Sequence, residues 1–155
     1  LAILFSANPG QEPRSIQKVA SGGELSRIAL AIKTVTANRD GSPASMVFDE
    51  IDTGIGGRTA QMVAERIAMV AAHRQVLCIT HLPQIACMAD THLYISKHVI
   101  DNQTSTVIHP LTTGERVNEI ARMASGANVS SASLDNAREM IAYAGVKKEE
   151  YKKNG

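Results

Sequence analysis

The sequence predicts an α/β fold in which a largely parallel sheet is flanked by helices, and three observations support this. Short apolar runs at 46–48 and 76–80 are too brief for helices and suit buried strands. Between them, apolar residues recur at helical spacing from about 58 to 72. A strand–helix–strand order with both strands apolar throughout is typical of parallel sheets. At 155 residues, the chain is expected to form one domain.

The composition is that of a chain able to bury a core. With 44% apolar and 20% charged residues, it differs from a disordered tail or a collagen-like fibre. Sixteen Lys and Arg against fifteen Asp and Glu leave a net charge of +1, so no overall field draws the chain to nucleic acid or anionic lipid. Cys78 and Cys87 lack metal-ligand spacing, which argues against a zinc module or a disulfide scaffold. Charges interrupt the apolar stretches before about 20 residues, and no apolar leader opens the chain, so a cytoplasmic protein is expected.

The first third of the chain predicts one strand, one loop and one helix. Leu1–Ser6 is a short apolar run that suits a strand, and 11–19 has the composition of a loop around Pro13. Apolar residues at helical spacing then predict a helix from about Gly23 to Ala37. The polar and Pro-containing segment 38–43 ends it.

The second half predicts a hairpin and helices. Two strands are expected to pair across the polar residues 101–103. The predicted elements are a short helix at 82–89, hairpin strands at 92–99 and 105–111, and helices near 115–124 and 132–144. We expect one lobe over 1–146, followed by a charged, flexible tail over 147–155.

Ser21, Gly22, Gly23 and Glu24 stand immediately before the first predicted helix. A hydroxyl and two residues without side chains leave backbone N–H groups exposed at a helix N-terminus, where the aligned peptide dipoles favour an anion such as phosphate. The same residues also suit a simple capping box, with Ser21 as the N-cap and Glu24 three residues later. Local chemistry alone favours the cap.

Asp49 and Glu50 end the apolar run at 46–48. Adjacent carboxylates in such a place can divide the work of phosphoryl transfer, because one can hold Mg²⁺ and the other can orient or deprotonate a water molecule. In isolation, a solvated strand end is an equally good interpretation.

His81 follows the next predicted strand, at the sheet edge where ligands bind in open α/β folds. A lone histidine in that place is more often structural than catalytic. The segment 52–57, DTGIGG, makes a turn rich in residues that tolerate positive φ, and a plain connector is its alternative interpretation.

Taken in order, these features resemble the C-terminal half of an ATP-binding-cassette (ABC) ATPase head of the SMC-like type. The matching stretches are VASGGELSR (19–27) for the signature motif, MVFDE (46–50) for Walker B, DTGIGG (52–57) for the D-loop and CITH (78–81) for the switch histidine. Transporter cassettes usually follow the paired acids with Pro and Thr, whereas Ile51 and Asp52 follow them here. Within the group, LFSANPG (4–10), CITHLPQIA (78–86) and VNEIARMASG (117–126) resemble the bacterial DNA repair members.

The resemblance implies a site shared between two heads. Ser21 and the backbone of Gly22 and Gly23 would contact the γ-phosphate of ATP bound to the opposite head. Asp52 and its loop would link the two sites across the dimer. Glu24 and Arg27 would stabilise the signature helix instead of contacting nucleotide.

The resemblance also implies which residues carry the chemistry. Asp49 would support Mg²⁺, directly or through water, and Glu50 would position or activate the attacking water. His81 would sense the γ-phosphate. The implied cofactors are therefore ATP and Mg²⁺, and the implied reaction is ATP hydrolysis.

The chain contains no GxxxxGK[ST] pattern, so the backbone cradle and lysine that bind β- and γ-phosphates are missing from it. The resemblance places them in an N-terminal Walker A lobe, which is an expected partner together with a second head in a homodimer. The chain alone is therefore expected to be inactive. The full-length protein would act on DNA in the bacterial cytoplasm, associated with the nucleoid, in the recombinational repair of double-strand breaks and the DNA damage response.

Two alternatives stay open. The chain could be a non-catalytic dimerisation or scaffold module whose motifs serve packing, in which case Glu50→Gln leaves ATP turnover unchanged. It could instead belong to another SMC-like head from chromosome organisation, with the same chemistry and a different biology.

Overall fold

The computed structural model describes residues 4–6, 10, 12–15, 21–36, 45–100 and 103–153. The chain divides into two compact units, Leu1–Thr80 and His81–Gly155. The first unit contains β1 (Leu4–Phe5), β2 (Arg14–Ser15), α1 (Gly22–Thr36), β3 (Ser45–Phe48), α2 (Gly57–Ala71) and β4 (Gln75–Cys78). The second contains α3 (Pro83–Ala86), β5 (Leu93–Ile100), β6 (Gln103–Pro110), α4 (Thr113–Ser125) and α5 (Ser131–Lys153). No helix in the described part of the chain is long and apolar enough to cross a bilayer.

The strand–helix–strand segment of the first unit has the predicted order. β3 and β4 pair in parallel, with Met46 opposite Val76 and Phe48 opposite Cys78. The prediction that these strands are buried holds for only one face of β3, because the pleat alternates the side chains between two faces. Met46 and Phe48 are 6% exposed, whereas Val47 between them is 68% exposed.

α2 is amphipathic and its apolar stripe supplies much of the core of the first unit. It packs against α1 and β4. Its buried residues are spaced three and four apart, as a helix with one apolar face requires. They are Ala60, Val63, Ala64, Ile67, Ala68 and Val70.

The first strand is found within its predicted range, and it has a partner that the sequence does not predict. β1 pairs antiparallel with β2, so that Leu4 lies opposite Ser15 and Phe5 opposite Arg14. The prediction of a loop over 11–19 is therefore wrong at 14–15, where a two-residue strand has no apolar alternation to reveal it. Residues 1–3, and the predicted helix end at 37–43, lie outside the described residues.

In the second unit, β5 and β6 pair antiparallel in the segment where the sequence predicts a hairpin, with Tyr94 opposite His109. Two of the three described strand pairs are antiparallel. The described residues therefore do not form the largely parallel sheet that the sequence predicts.

The chain's last helix is longer than predicted. α5 continues to Lys153, so the expectation of a flexible tail from residue 147 is wrong for 147–153, while 154–155 lie outside the described residues. Ion pairs one turn apart join Lys147 to Glu150 and Lys152 to Glu149. Such i,i+3 pairs support a charged helix that apolar periodicity alone does not reveal. A single lobe over 1–146 stays a prediction.

Candidate functional site

The N-terminus of α1 is capped in the way that one of the two sequence interpretations describes. The backbone N–H of Ser21 donates to Glu24 Oε2 at 2.8 Å, and the Glu24 N–H donates to Ser21 Oγ at 3.4 Å. The hydrogen bond from the Ser21 backbone is the main reason why the pKa of Glu24 lies below its ordinary value. Ser21 is exposed, so the cap and an anion contact are compatible roles for it.

Gly22 and Gly23 let α1 approach the paired acids closely. A Cβ at Gly22 would collide with the carboxylate oxygen Oε2 of Glu50. A Cβ at Gly23 would lie 2.8 Å from the Glu50 carbonyl oxygen and 3.0 Å from Thr53 Cβ. The structure therefore brings the predicted signature residues beside the second predicted acid. At Gly23 the obstacle is backbone, so the close approach requires glycine there, whereas a side chain at Gly22 would displace the Glu50 carboxylate.

Asp49 and Glu50 follow β3 directly, and both are exposed. Asp49 Oδ1 accepts the Glu50 backbone N–H at 2.8 Å. Glu50 has a φ of +57°, in the left-handed region that non-glycine residues rarely adopt. Backbone strain of this kind is concentrated at functional sites, where the surrounding structure enforces it.

The turn that follows the acids is held from inside the unit. Ile51 is fully buried and Asp52 is 3% exposed. Asp52 Oδ2 accepts a hydrogen bond from Thr80 Oγ1 at 2.6 Å. The Asp52 side chain thus points into its own unit, and the two residues that follow it, Thr53 and Gly54, are exposed.

Two residues of α1 tie the helix to the segment that carries the acids. Ser26 Oγ donates to the Asp49 carbonyl oxygen at 2.9 Å. Arg27 Nη1 donates to the carbonyl oxygens of Ile51 at 3.2 Å and of Thr53 at 2.9 Å. Arg27 therefore does more than stabilise its own helix, because it also clamps the turn after Glu50.

The sequence did not lead us to predict the contacts that Ser26 and Thr80 make with the segment carrying the acids. For Ser26, its spacing along α1 could have indicated them. Ser26 and Arg27 lie one helical turn after Gly22 and Gly23, so all four share the face of α1 that meets the acids. Thr80 carries no such periodic signal, since it follows a strand end at 78.

Cys78 lies at the end of β4 near the same acids. Its burial, together with the negative charges of Asp52 and Asp49, raises the pKa of the Cys78 thiol to about 12. The thiol therefore stays protonated at neutral pH and is a poor nucleophile.

His81 is exposed and is the first residue of the second unit. It stands three residues beyond the end of β4 and directly before Leu82, which is the N-cap of α3. The structure thus brings Ser21, Gly22, Gly23, Asp49, Glu50 and Asp52 together in the first unit, and it places His81 in the second.

The paired carboxylates of Asp49 and Glu50 suit Mg²⁺ better than a metal ion whose ligands all come from the protein. No group of three or more His, Cys, Asp or Glu side chains within the described ranges is arranged to hold a metal ion. Mg²⁺ does not need such a cage, because one or two carboxylates combine with water and substrate phosphates to bind it. The exposed carboxylate of Asp49 fits this requirement.

The first unit therefore has the predicted signature residues at a helix start, the paired acids at a strand end and a clamped turn after them. These are the segments for which the sequence resembles an SMC-like ATPase head. The particular relative is the DNA repair protein RecN. The chain is 50% identical over 142 residues to RecN of Bacillus subtilis, which covers 92% of the chain and 24% of that protein. The corresponding values are 51% over 140 residues for RecN of Deinococcus radiodurans and 42% over 141 residues for RecN of Haemophilus influenzae. No family model matches the chain.

The chain is therefore a homologue of a segment of RecN and spans about a quarter of the length of these relatives. The predicted resemblance to the bacterial SMC-like DNA repair proteins is confirmed. Among solved structures, a chain described in work on ATP-driven dimerization and DNA-stimulated activation of SMC ATPases is similar, with a TM-score of 0.49 and 18% identity. The similarity covers 82% of this chain and 83% of that one.

Proposed function

We propose that this chain is the C-terminal lobe of a RecN-like ATPase head, which binds and hydrolyses ATP at a head–head dimer interface during the repair of DNA double-strand breaks. The proposal rests on identity of about 50% to RecN proteins and on the close approach of the signature glycines to Glu50. The Walker A lobe of the same protein, a second head and DNA are its proposed partners. In the assembled head, β3 and β4 would contribute to a larger, mainly parallel sheet.

The proposed chemistry divides between the two acids. Asp49 supports Mg²⁺ through its exposed carboxylate, and Glu50 orients or deprotonates the attacking water. When bound, Mg²⁺ neutralises charge on the β- and γ-phosphates. The strained backbone at Glu50 and the Asp49 hydrogen bond to its N–H fix the direction in which this carboxylate leaves the strand.

The opposite side of the site would come from another head. Ser21 and the backbone of Gly22 and Gly23 contact the γ-phosphate held by that head, where N–H groups at a helix start favour an anion. Asp52 holds its turn from inside through Thr80. Thr53 and Gly54, which are exposed directly after Asp52, would then face the partner.

The Glu50 carboxylate is the feature that tests this proposal most directly. We would insert this chain into full-length RecN of Bacillus subtilis in place of the matching segment, and measure ATP binding and turnover. Glu50→Gln is expected to keep ATP binding and to lower turnover by about 100-fold or more, because the amide cannot accept a proton from water. The isolated chain is expected to show no turnover.

Glu139→Gln is the matched control, since Glu139 is an exposed acid on α5 that makes the same change of group away from the site. It should leave turnover unchanged. If the hybrid binds ATP and turns it over equally well with Glu50→Gln, the catalytic proposal fails and a scaffold role replaces it.

A further inference from the structure

The segment after His81 is held in place by two cations from the helices of its own unit. α3 is a single turn, and its neighbours Cys87 and Met88 are buried together with Ile85 and Ala86. At the start of this segment, the carbonyl oxygen of Leu82 accepts hydrogen bonds from the N–H groups of Ile85 and Ala86, at 3.1 Å each. The residue next to His81 is therefore part of a closely packed segment.

Arg116 on α4 makes the strongest contacts to this segment. Its Nη2 donates to the carbonyl oxygens of Cys87 at 2.6 Å and of Ala89 at 2.7 Å. Both carbonyls lie just beyond the end of α3, where a helix leaves acceptors unsatisfied and where a positive charge is favourable. The guanidinium is half-buried, so these charge-assisted hydrogen bonds are only weakly screened by solvent.

Lys148 on α5 reaches the same place from a second direction. Its Nζ donates to the Ala89 carbonyl oxygen at 3.4 Å and forms an ion pair with Asp90 at 2.9 Å. The Lys148 side chain is only 18% exposed, whereas that of Asp90 is 70% exposed. The end of the α3 segment is thus fixed to both long helices of the second unit.

We propose that Arg116 is a positioning residue for ATP hydrolysis, because it anchors the α3 segment and thereby sets where His81 stands. This inference rests on the proposed function and on the role that the resemblance implies for His81, which would sense the γ-phosphate. Arg116 touches neither nucleotide nor metal in this account. It acts through the backbone from Ala89 back to Leu82, and Lys148 assists it.

The expected effect is on turnover and not on ATP affinity. Arg116→Met keeps the length of the side chain and removes both donors. In the RecN hybrid it should lower kcat about tenfold or more, because displacing a catalytic group by about 1 Å can cost up to 100-fold. The KM for ATP should change by less than about twofold. Arg116→Lys should restore part of the loss, since one ammonium can still reach these carbonyls.

A double-mutant cycle with His81→Ala separates positioning from general stability. If Arg116 acts through His81, Arg116→Met should have no further effect on kcat in the His81→Ala protein. Equal fold-losses with and without His81 would overturn the proposal. Arg122→Met is the matched control on α4, because the Arg122 side chain is 53% exposed and pairs with Glu119 on the same helix. It should leave kcat unchanged.

The outcomes distinguish the two proposals. If His81→Ala leaves turnover unchanged, the role proposed for His81 fails, and the role of Arg116 fails with it. If His81→Ala lowers kcat and Arg116→Met lowers it further by the same factor as in the unmodified protein, only the positioning role of Arg116 fails. If the Arg116→Met protein loses its helical circular dichroism, Arg116→Lys and Lys148→Met replace it in the same double-mutant cycle. Each is expected to lower kcat by a smaller factor, and this effect should also vanish in the His81→Ala protein.

Discussion

Gly22 and Gly23 are neighbours on α1, yet a methyl group added at each would meet a different kind of atom. At Gly22 the obstacle is the end of the Glu50 side chain, which can rotate away. At Gly23 the obstacle is the Glu50 carbonyl oxygen at 2.8 Å, and this oxygen also accepts the Thr53 N–H at 3.0 Å. The backbone of the turn has little freedom to move. One position therefore restrains the Glu50 carboxylate, and the other restrains the turn itself.

We expect Gly22→Ala and Gly23→Ala to separate activity from stability. Gly23→Ala should lower the free energy of unfolding by about 1–3 kcal/mol, the usual cost of overpacking. Gly22→Ala should leave stability nearly unchanged, while turnover of the RecN hybrid falls because the Glu50 carboxylate is displaced. Thermal unfolding and ATP turnover of both variants check this. Equal destabilisation by the two substitutions would contradict the contacts described here.

At the scale of helices, α1 and α4 begin with the same kind of capping box. Thr112 is the N-cap of α4, and its N–H donates to Glu115 Oε2 at 2.8 Å, while the Glu115 N–H donates to Thr112 Oγ1 at 3.4 Å. Hydrogen bonds from the Thr112 side chain and backbone hold the pKa of Glu115 below its ordinary value of 4.5. The pKa of Glu24 on α1 is lowered in the same way by Ser21.

A lowered carboxyl pKa makes the contribution of the cap depend on pH. The contribution is complete above the ordinary pKa of 4.5 and is lost as pH falls through the lower pKa of the folded state. We expect Glu115→Gln to lower the melting temperature of the chain at neutral pH, and this difference from the unmodified chain to shrink on acidification. Melting curves followed by circular dichroism across this range check it. In a Thr112→Ala background the pH-dependent difference should become smaller, because the hydroxyl donor is lost while the backbone N–H of residue 112 still donates to Glu115. A difference of undiminished size would show that the Thr112 side chain is not the main partner of Glu115.

The bounds of the first two helices could be predicted from sequence to within one residue at each described end. α1 begins at Gly22 against a predicted Gly23, and α2 spans 57–71 against 58–72. Capping residues and apolar periodicity are local properties, so a sequence displays them directly. The continuation of α5 to Lys153 was missed because part of its support is an ion pair from Lys148 to Asp90, which lies 58 residues away along the chain.

The candidate site shows the same division between local and long-range information. The order of the motifs was sufficient to predict that the candidate site contains Ser21, Gly22, Gly23, Asp49 and Glu50. The structure brings the segments that carry them together. The positive φ of Glu50 and the burial of Asp52 against Thr80 could not be predicted, because both depend on how the turn meets β4 and α1. The role of Arg116 depends on contacts 27 and 29 residues away.

At the scale of the whole molecule, each unit exposes an apolar sheet face. In the first unit, Val47 on β3 and its partner Leu77 on β4 are 68% and 46% exposed, and Ile79, one residue beyond β4, is 54% exposed. In the second, Ile95 and Ile108 lie opposite each other on the hairpin and are 52% and 58% exposed. Apolar faces of this kind mark interaction sites in soluble proteins. They are consistent with the proposal that a Walker A lobe packs against this chain.

We expect the isolated chain to self-associate through the face of β3 and β4, since nothing else in the experiment would cover it. Val47→Thr with Leu77→Thr places β-branched side chains at both strand positions and replaces part of the apolar surface of this face by hydroxyl groups, which weakens apolar association. Sedimentation equilibrium should show association weakened by about tenfold or more. Val146→Thr is the control, because Val146 is 61% exposed on α5, outside this face. If the unmodified chain stays monomeric at all concentrations, or if all three substitutions act alike, the face of β3 and β4 is not a self-association surface.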